Sequence, residues 1–113
     1  MTDYYPKRNL MINEAKDLIN GDRQDEYGPP NKNFSDIAQG WGVIFDRKIY
    51  PFEVALAMDW VKTCRACKSP ELEDSWVDKI GYSAIGGELA GEQEYEGVYT
   101  DDRGDDQRTR KRD

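Results

Sequence analysis

Apolar residues return every three to four positions in four stretches of this chain, and glycine, proline or clustered polar residues separate the stretches. From about Lys7 to Asn20 the apolar positions are Leu10, Met11, Ala15, Leu18 and Ile19, with Gly21 as the stop. A second helix is expected over about 33–46, with Asn31 or Asn33 as cap and Phe34, Ile37, Ala38, Trp41, Ile44 and Phe45 on one face. Pro51 suits the first turn of a third helix reaching Lys68. Its middle, Val54 to Val61, is apolar nearly all round, which marks it as the central, most buried element. A fourth helix should run from about Glu71 to Ala90, its acidic first turn complementing the helix dipole and its stripe formed by Trp76, Val77, Ile80, Ala84, Ile85 and Leu89.

Glycines interrupt two of these helices. Gly40 and Gly42 flank Trp41, and Gly81, Gly86 and Gly87 lie in the fourth helix, where they weaken it unless another helix or a ligand comes close. Between the first two helices, residues 21–31 contain Gly28 followed by Pro29 and Pro30, so they read as a long polar loop. No sustained period-two alternation and no internal repeat appears. The fold class that follows is all-α, a compact four-helix bundle over residues 1–91 with a charged, disordered C-terminal tail over 92–113. That tail holds eight acids and five bases and almost no large aliphatic residue.

Charge and composition then remove function classes. The chain has a net charge of −7, and residues 1–91 alone carry −4, so a duplex-binding surface, which needs a positive footprint, is not expected. There is no histidine. Ser-His-Asp, Cys-His and histidine-containing zinc sites are therefore excluded, and any chemistry falls to carboxylates, Lys, Arg, Tyr or Cys. Cys64 and Cys67 form a C-x-x-C, but inside a helical pattern with no strand beside it they read as small core or boundary residues rather than a redox dithiol. No transmembrane run, signal peptide or lipidation motif is apparent, which leads to the expectation of a soluble, cytosolic protein.

The candidate chemistry lies on the last two helices. Asp59, Lys62 and Arg65 share roughly one face of the third, and Asp74, Asp78 and Tyr82 one face of the fourth. If the two helices pack antiparallel through the break at Pro70, the polar faces meet, and Arg65 can pair with Asp74 or Asp78 in a forked geometry. Two readings stay open. One is an interhelical ion-pair set that fixes register. The other is a ligand site in which Asp74 and Asp78 hold magnesium while Lys62 and Arg65 take the phosphates of a nucleotide, with Arg23 and Tyr27 closing from the loop and Asn33 reading a base. Glu14 and Asp17 on the first helix fit a solvated face, and Asp36 fits dipole stabilisation of the second.

Gly21-Asp22-Arg23, Tyr27-Gly28-Pro29, Asn33-Phe34 with Ile37-Ala38 and Trp41, Ala57-Met58 with Lys62 and Arg65, and Asp74-Ser75-Trp76-Val77-Asp78 with Gly81-Tyr82 together resemble a family of small bacteriophage and prophage proteins. The resemblance covers roughly residues 8–91 and implies a phage origin and action in the host cytoplasm. More loosely, the chain resembles the MazG kind of all-α nucleoside triphosphate pyrophosphohydrolases, dimeric bundles that bind magnesium through Glu-x-x-Glu and Glu-x-x-Asp pairs. Glu71 to Asp78 is similar to the second pair and Glu14-Ala15-Lys16-Asp17 to a degenerate first, while the Glu-Glu-x-x-Glu signature is missing.

These observations lead to a first expectation and an alternative. The first is a phage protein that binds a nucleotide-type phosphorylated ligand, with metal-dependent pyrophosphohydrolysis left undecided. The alternative is a counter-defence protein that sequesters a nucleotide signal or binds and inhibits a host defence protein. Because the core is small, a homo-oligomer is expected in either case, with no membrane partner.

Overall fold

Four helices form where the periodicity places them in a computed structural model that describes residues 6–21 and 28–93. They are α1 (Lys7–Asn20), α2 (Pro30–Phe45), α3 (Pro51–Lys68) and α4 (Glu73–Glu92), and no strand occurs among the described residues. The ends of α1 and α3 coincide with the sequence expectation. Gly21 closes α1 with its N–H donating to the Asp17 carbonyl at 2.8 Å. At the start of α3 the Tyr50 N–H donates to Glu53 Oε1 at 2.8 Å, and the Glu53 N–H donates back to the Tyr50 carbonyl at 2.9 Å.

The other two helices are displaced by a turn or less. α2 begins at Pro30, with Pro29 as the flanking residue, instead of at an asparagine cap. Proline's fixed φ and missing N–H suit the first helical position, so the Pro-Pro pair sets the start and Asn31 and Asn33 fall inside the helix. α2 ends at Asp46, which adopts a left-handed conformation (φ 55°) while the Arg47 N–H reaches back to the Gly42 carbonyl at 3.2 Å. A Cβ at Gly42 would stand 3.0 Å from the Arg47 carbonyl oxygen, so glycine lets the chain fold back there. α4 starts at Glu73 and extends through Glu92, into the segment expected to belong to the tail. The remainder of that tail, and Arg23 and Tyr27 in the loop, lie outside the described residues.

Packing reverses one expectation: α4, not α3, is the central element. It packs most extensively on α3 and also on α1, while α2 rests on α3 and reaches α4 through Phe34, whose ring lies 6.4 Å from that of Tyr82. Val77, Gly81, Tyr82, Ile85 and Leu89 of α4 are buried. On α3, by contrast, Leu56, Trp60 and Val61 are 62, 67 and 45 % exposed. An all-round apolar helix promises burial only if neighbours arrive on every side, and this one has neighbours on two. Cys64 and Cys67 are likewise exposed free thiols rather than core or boundary residues, because the α4-facing seam of α3 runs through Ala55, Asp59, Lys62 and Ala66.

Small residues bring the helices together. A Cβ on Gly86 would lie 3.0 Å from the Ala55 Cβ, and one on Gly81 would lie 3.0 Å from Ile19 Cγ2, so each glycine removes the atom that would hold α3 or α1 away from α4. The core that results is formed by Phe34, Ala38, Val54, Ala55, Tyr82, Ile85 and Leu89, with Trp41, Phe52 and Met58 packed at its edge.

Taken together, α1, α4 and α3 form a layer with α2 laid across one side. On α4, Tyr82, Ile85 and Leu89 point into the covered side, whereas Trp76, Lys79, Ile80 and Ser83 fall on the opposite side by helical spacing. Likewise on α3, Val54 and Met58 face the core and Leu56 and Trp60 face away from it. No described helix is long and apolar enough to cross a membrane.

Candidate functional site

Two half-buried ion pairs join α3 to α4. Lys62 Nζ lies 2.9 Å from Asp78 Oδ2, and Lys79 Nζ lies 2.9 Å from Asp59 Oδ1. Lys79 also donates to Thr63 Oγ1 at 2.5 Å, and that hydroxyl donates to the Asp59 backbone carbonyl at 3.1 Å. Acid and base therefore alternate along both helices and cross over between them. An antiparallel pair in this register satisfies both bridges; sliding either helix by one turn would bring like charges together.

This geometry accounts for the predicted constellation in a specific way. Asp78 is engaged by Lys62, not by Arg65, because Lys62 lies on the α4-facing seam and Arg65 is turned off it. Arg65 and Asp74 are both exposed and make no ion pair among the described residues. Tyr82 is buried against Phe34, with only its edge available to a groove on the other side. Asn33 is partly buried within α2, its N–H given to the Pro29 carbonyl. Glu14 and Asp17 lie exposed on α1, and Asp36 pairs with Lys32 at 2.7 Å.

The space beside Asp78 is a crevice of about 10 Å³ between Leu18, Val77 and Tyr82, too narrow for a nucleotide. No group of three or more Cys, Asp or Glu side chains converges as a metal site among the described residues. Lys62 already occupies Oδ2 of Asp78, while Asp74 stands exposed.

A larger opening lies on the uncovered side of the layer. Between the first half of α1 and the first half of α4 there is a mostly apolar cleft of about 860 Å³, walled by Met11, Ile12, Trp76 and Ile80. The indole of Trp76 is oriented by its Nε1–H, which donates to the Pro70 carbonyl at 2.9 Å, so its ring plane is set by the turn before α4. The Asp59–Lys79 pair closes one side. At the far end stand Lys7 and Arg8 with Glu71 and Glu73, and Lys7 is bound to Glu73 at 2.5 Å. Arg8 makes no ion pair among the described residues. Such a cleft, apolar with a few charged groups at its rim, has the size and character of small-molecule sites.

The sequence pattern did not single out these residues. Trp76 and Ile80 carry the same spacing as the buried stripe, and Lys7 and Arg8 stand at a helix start where bases have no evident role. A third recess, about 530 Å³, is bordered by Asn20, Asn31, Glu88 and Glu92. The chain on either side of residues 22–27 runs along it, since Ile19, Asn20, Pro29 and Pro30 also line it. The ends of the expected closing loop thus lie beside α1, α2 and the end of α4.

Fold and site together define a small all-α domain with an open-faced cleft bordered by charge. The chain belongs to a family described as a domain of unknown function (DUF6378), whose model matches residues 10–90. It is 34 % identical over 73 residues to the Gene 55 protein of Mycobacterium phage D29, a match covering 65 % of this chain and 48 % of that protein. To the Gene 55 protein of Mycobacterium phage L5 it is 31 % identical over 77 residues, covering 66 % of this chain and 49 % of the relative. The chain thus spans about half the length of these curated relatives. No solved structure matches it.

Proposed function

We propose that this phage protein binds a nucleotide-type phosphorylated ligand in the α1–α4 cleft, acting in the host cytoplasm. The cleft carries the reading: it combines a tryptophan face held in a set orientation, aliphatic walls, and two cations at one end. A flat base stacks against Trp76 and Ile80, a contact worth about 1–3 kcal/mol in comparable sites. The phosphate lies toward Lys7 and Arg8, where the guanidinium offers a forked pair of donors. Glu71 and Glu73 at the same end favour a ligand with few phosphate charges. Binding without turnover fits this cleft, and sequestration of a nucleotide signal is the corresponding biological role.

The test is a nucleotide panel applied to the purified chain with and without magnesium, read by thermal shift and by chromatography of the ligand. Free ligand at 100 times its dissociation constant should stabilise the fold by roughly 2.7 kcal/mol. The ligand should emerge unchanged, and Arg8→Ala should abolish the shift without altering the unliganded melting temperature. Conversion to monophosphate and pyrophosphate would instead support metal-dependent hydrolysis, with Asp74 and Asp78 recruited as ligands. Absence of any response across the panel would favour the alternative role, direct binding to a host defence protein.

A further inference from the structure

Beside the cleft, on the same uncovered side of the layer, α3 and α4 present a ridge next to a hollow. The ridge is Leu56 and Trp60, one turn apart and 62 and 67 % exposed. The hollow is a mostly apolar groove of about 260 Å³ whose α4 wall is mostly small, with Ser83, Gly86, Gly87 and Ala90 beside the edge of Tyr82, and whose α3 wall includes Asp59. We infer that this face is the contact between two copies of the chain, related by a twofold axis that seats the Trp60 ridge of each copy in the small-residue groove of the other.

Three observations favour a second copy as the occupant. The first is shape. Ridge and groove lie side by side on one chain, and a twofold interface is the arrangement in which one patch supplies both halves of the fit. The groove has room for one large side chain; Leu56 lines it, and Trp60 stands one turn further along α3. The second is area. Two large exposed apolar side chains beside an apolar groove supply the kind of dry centre that a standard interface needs, about 800 Å² from each partner and roughly 60 % of it apolar. The third is charge. The chain carries −7 overall, yet the charged groups lining the adjoining cleft balance, Lys7, Arg8 and Lys79 against Asp59, Glu71 and Glu73. A strongly charged partner gains little there, whereas a second copy meets this face without local like-charge repulsion.

The inference is independent of what the cleft binds and is tested on the full chain without ligand. In sedimentation velocity over a range of concentrations, the unaltered protein should populate a dimer. Because two chains of net −7 approach through a neutral apolar patch, added salt should tighten the dimer by screening their long-range repulsion. Trp60→Glu should weaken association at least tenfold while helical circular dichroism is retained. Gly87→Glu is the sharper variant, since a Cβ there meets no atom within 4 Å of its own chain. It should leave the fold intact, raise helix propensity, and still weaken the dimer at least tenfold by filling the groove. Val43→Glu, at an 83 % exposed site on α2, serves as control and should associate normally. A protein that stays monomeric at every concentration, a dimer that survives both Trp60→Glu and Gly87→Glu, or one that Val43→Glu dissociates in their place, would each overturn the assignment.

Discussion

The two sides of the α1–α4–α3 layer begin with much the same chemistry and end differently. On the side under α2, Val54, Tyr82, Ile85 and Leu89 meet Phe34 and Ala38 and are buried at 8 % exposure or less. On the other side, Leu56, Trp60 and Trp76 are as apolar or more so, yet remain 62, 67 and 41 % exposed. Hydrophobicity alone does not distinguish them. The presence of a helix across one side does, and the uncovered side is where the cleft and the ridge with its groove are found. Among the described residues no helix crosses that side, and an exposed apolar face of this kind marks a surface for a ligand or another protein.

Truncation should separate the two sides most strongly. Phe34→Ala removes a ring from the closed core and should lower stability by about 3–5 kcal/mol in denaturant unfolding. Leu56→Ala, measured at concentrations where the chain is monomeric, should lower it by less than about 1 kcal/mol. Comparable losses at both positions would mean that the uncovered side is closed in solution even in the monomer.

Adding atoms to α4 gives the converse comparison. Gly86→Leu drives new carbons toward the Ala55 Cβ, already 3.0 Å from the site of its own Cβ, and should destabilise by about 1–3 kcal/mol. Gly87→Ala, one residue along and facing open space, should stabilise by up to about 1 kcal/mol through helix propensity. Melting curves of the two variants, moving in opposite directions, check the close approach of α3 and α4 directly.

The ion-pair seam should respond on a similar or slightly smaller scale. Asp78→Ala leaves Lys62, whose side chain is 17 % exposed, without its carboxylate and should cost about 1–3 kcal/mol. The double change Lys62→Met with Asp78→Leu should recover most of that loss, because two apolar residues across a helix interface replace a half-buried pair at little net penalty. A double-mutant cycle reads the coupling. If Asp78→Ala leaves the melting temperature unchanged but abolishes nucleotide binding, the seam belongs to a ligand site after all. The smallest effect should come from Trp76→Phe, which loses the bond to the Pro70 carbonyl and about 1 kcal/mol or less, with a fall in nucleotide affinity as the more sensitive measurement.

Much of the fold is legible in the spacing of residues because helices are local objects. Gly21 stops α1 and Pro51 starts α3 for reasons contained within a few neighbouring residues. At the start of α2 two local signals compete, a Pro-Pro pair and an asparagine cap, and the proline geometry prevails. The site was less legible. Spacing brought Asp59, Lys62 and Asp78 to one seam, yet it did not indicate that Lys79 completes the crossed pairs, nor that Arg65 turns away. One position along a helix is a rotation of about 100°, which moves a side chain from an interface to solvent. Trp76 illustrates the same limit, since it belongs to the same apolar stripe as buried Val77 and Ile85 while its ring forms a wall of the cleft.

By itself, then, the order of residues determined four helices, their approximate ends, the absence of histidine chemistry and the points where α4 must let its neighbours come near. Tertiary structure decided which helix became central, which of several equivalent acids and bases met, and which apolar face was left uncovered. The physical reason is that backbone hydrogen bonding and chain stiffness act within a turn or two, whereas burial depends on which distant surface arrives. A helix carries its apolar residues wherever it goes, but only its neighbours determine which of them leave water.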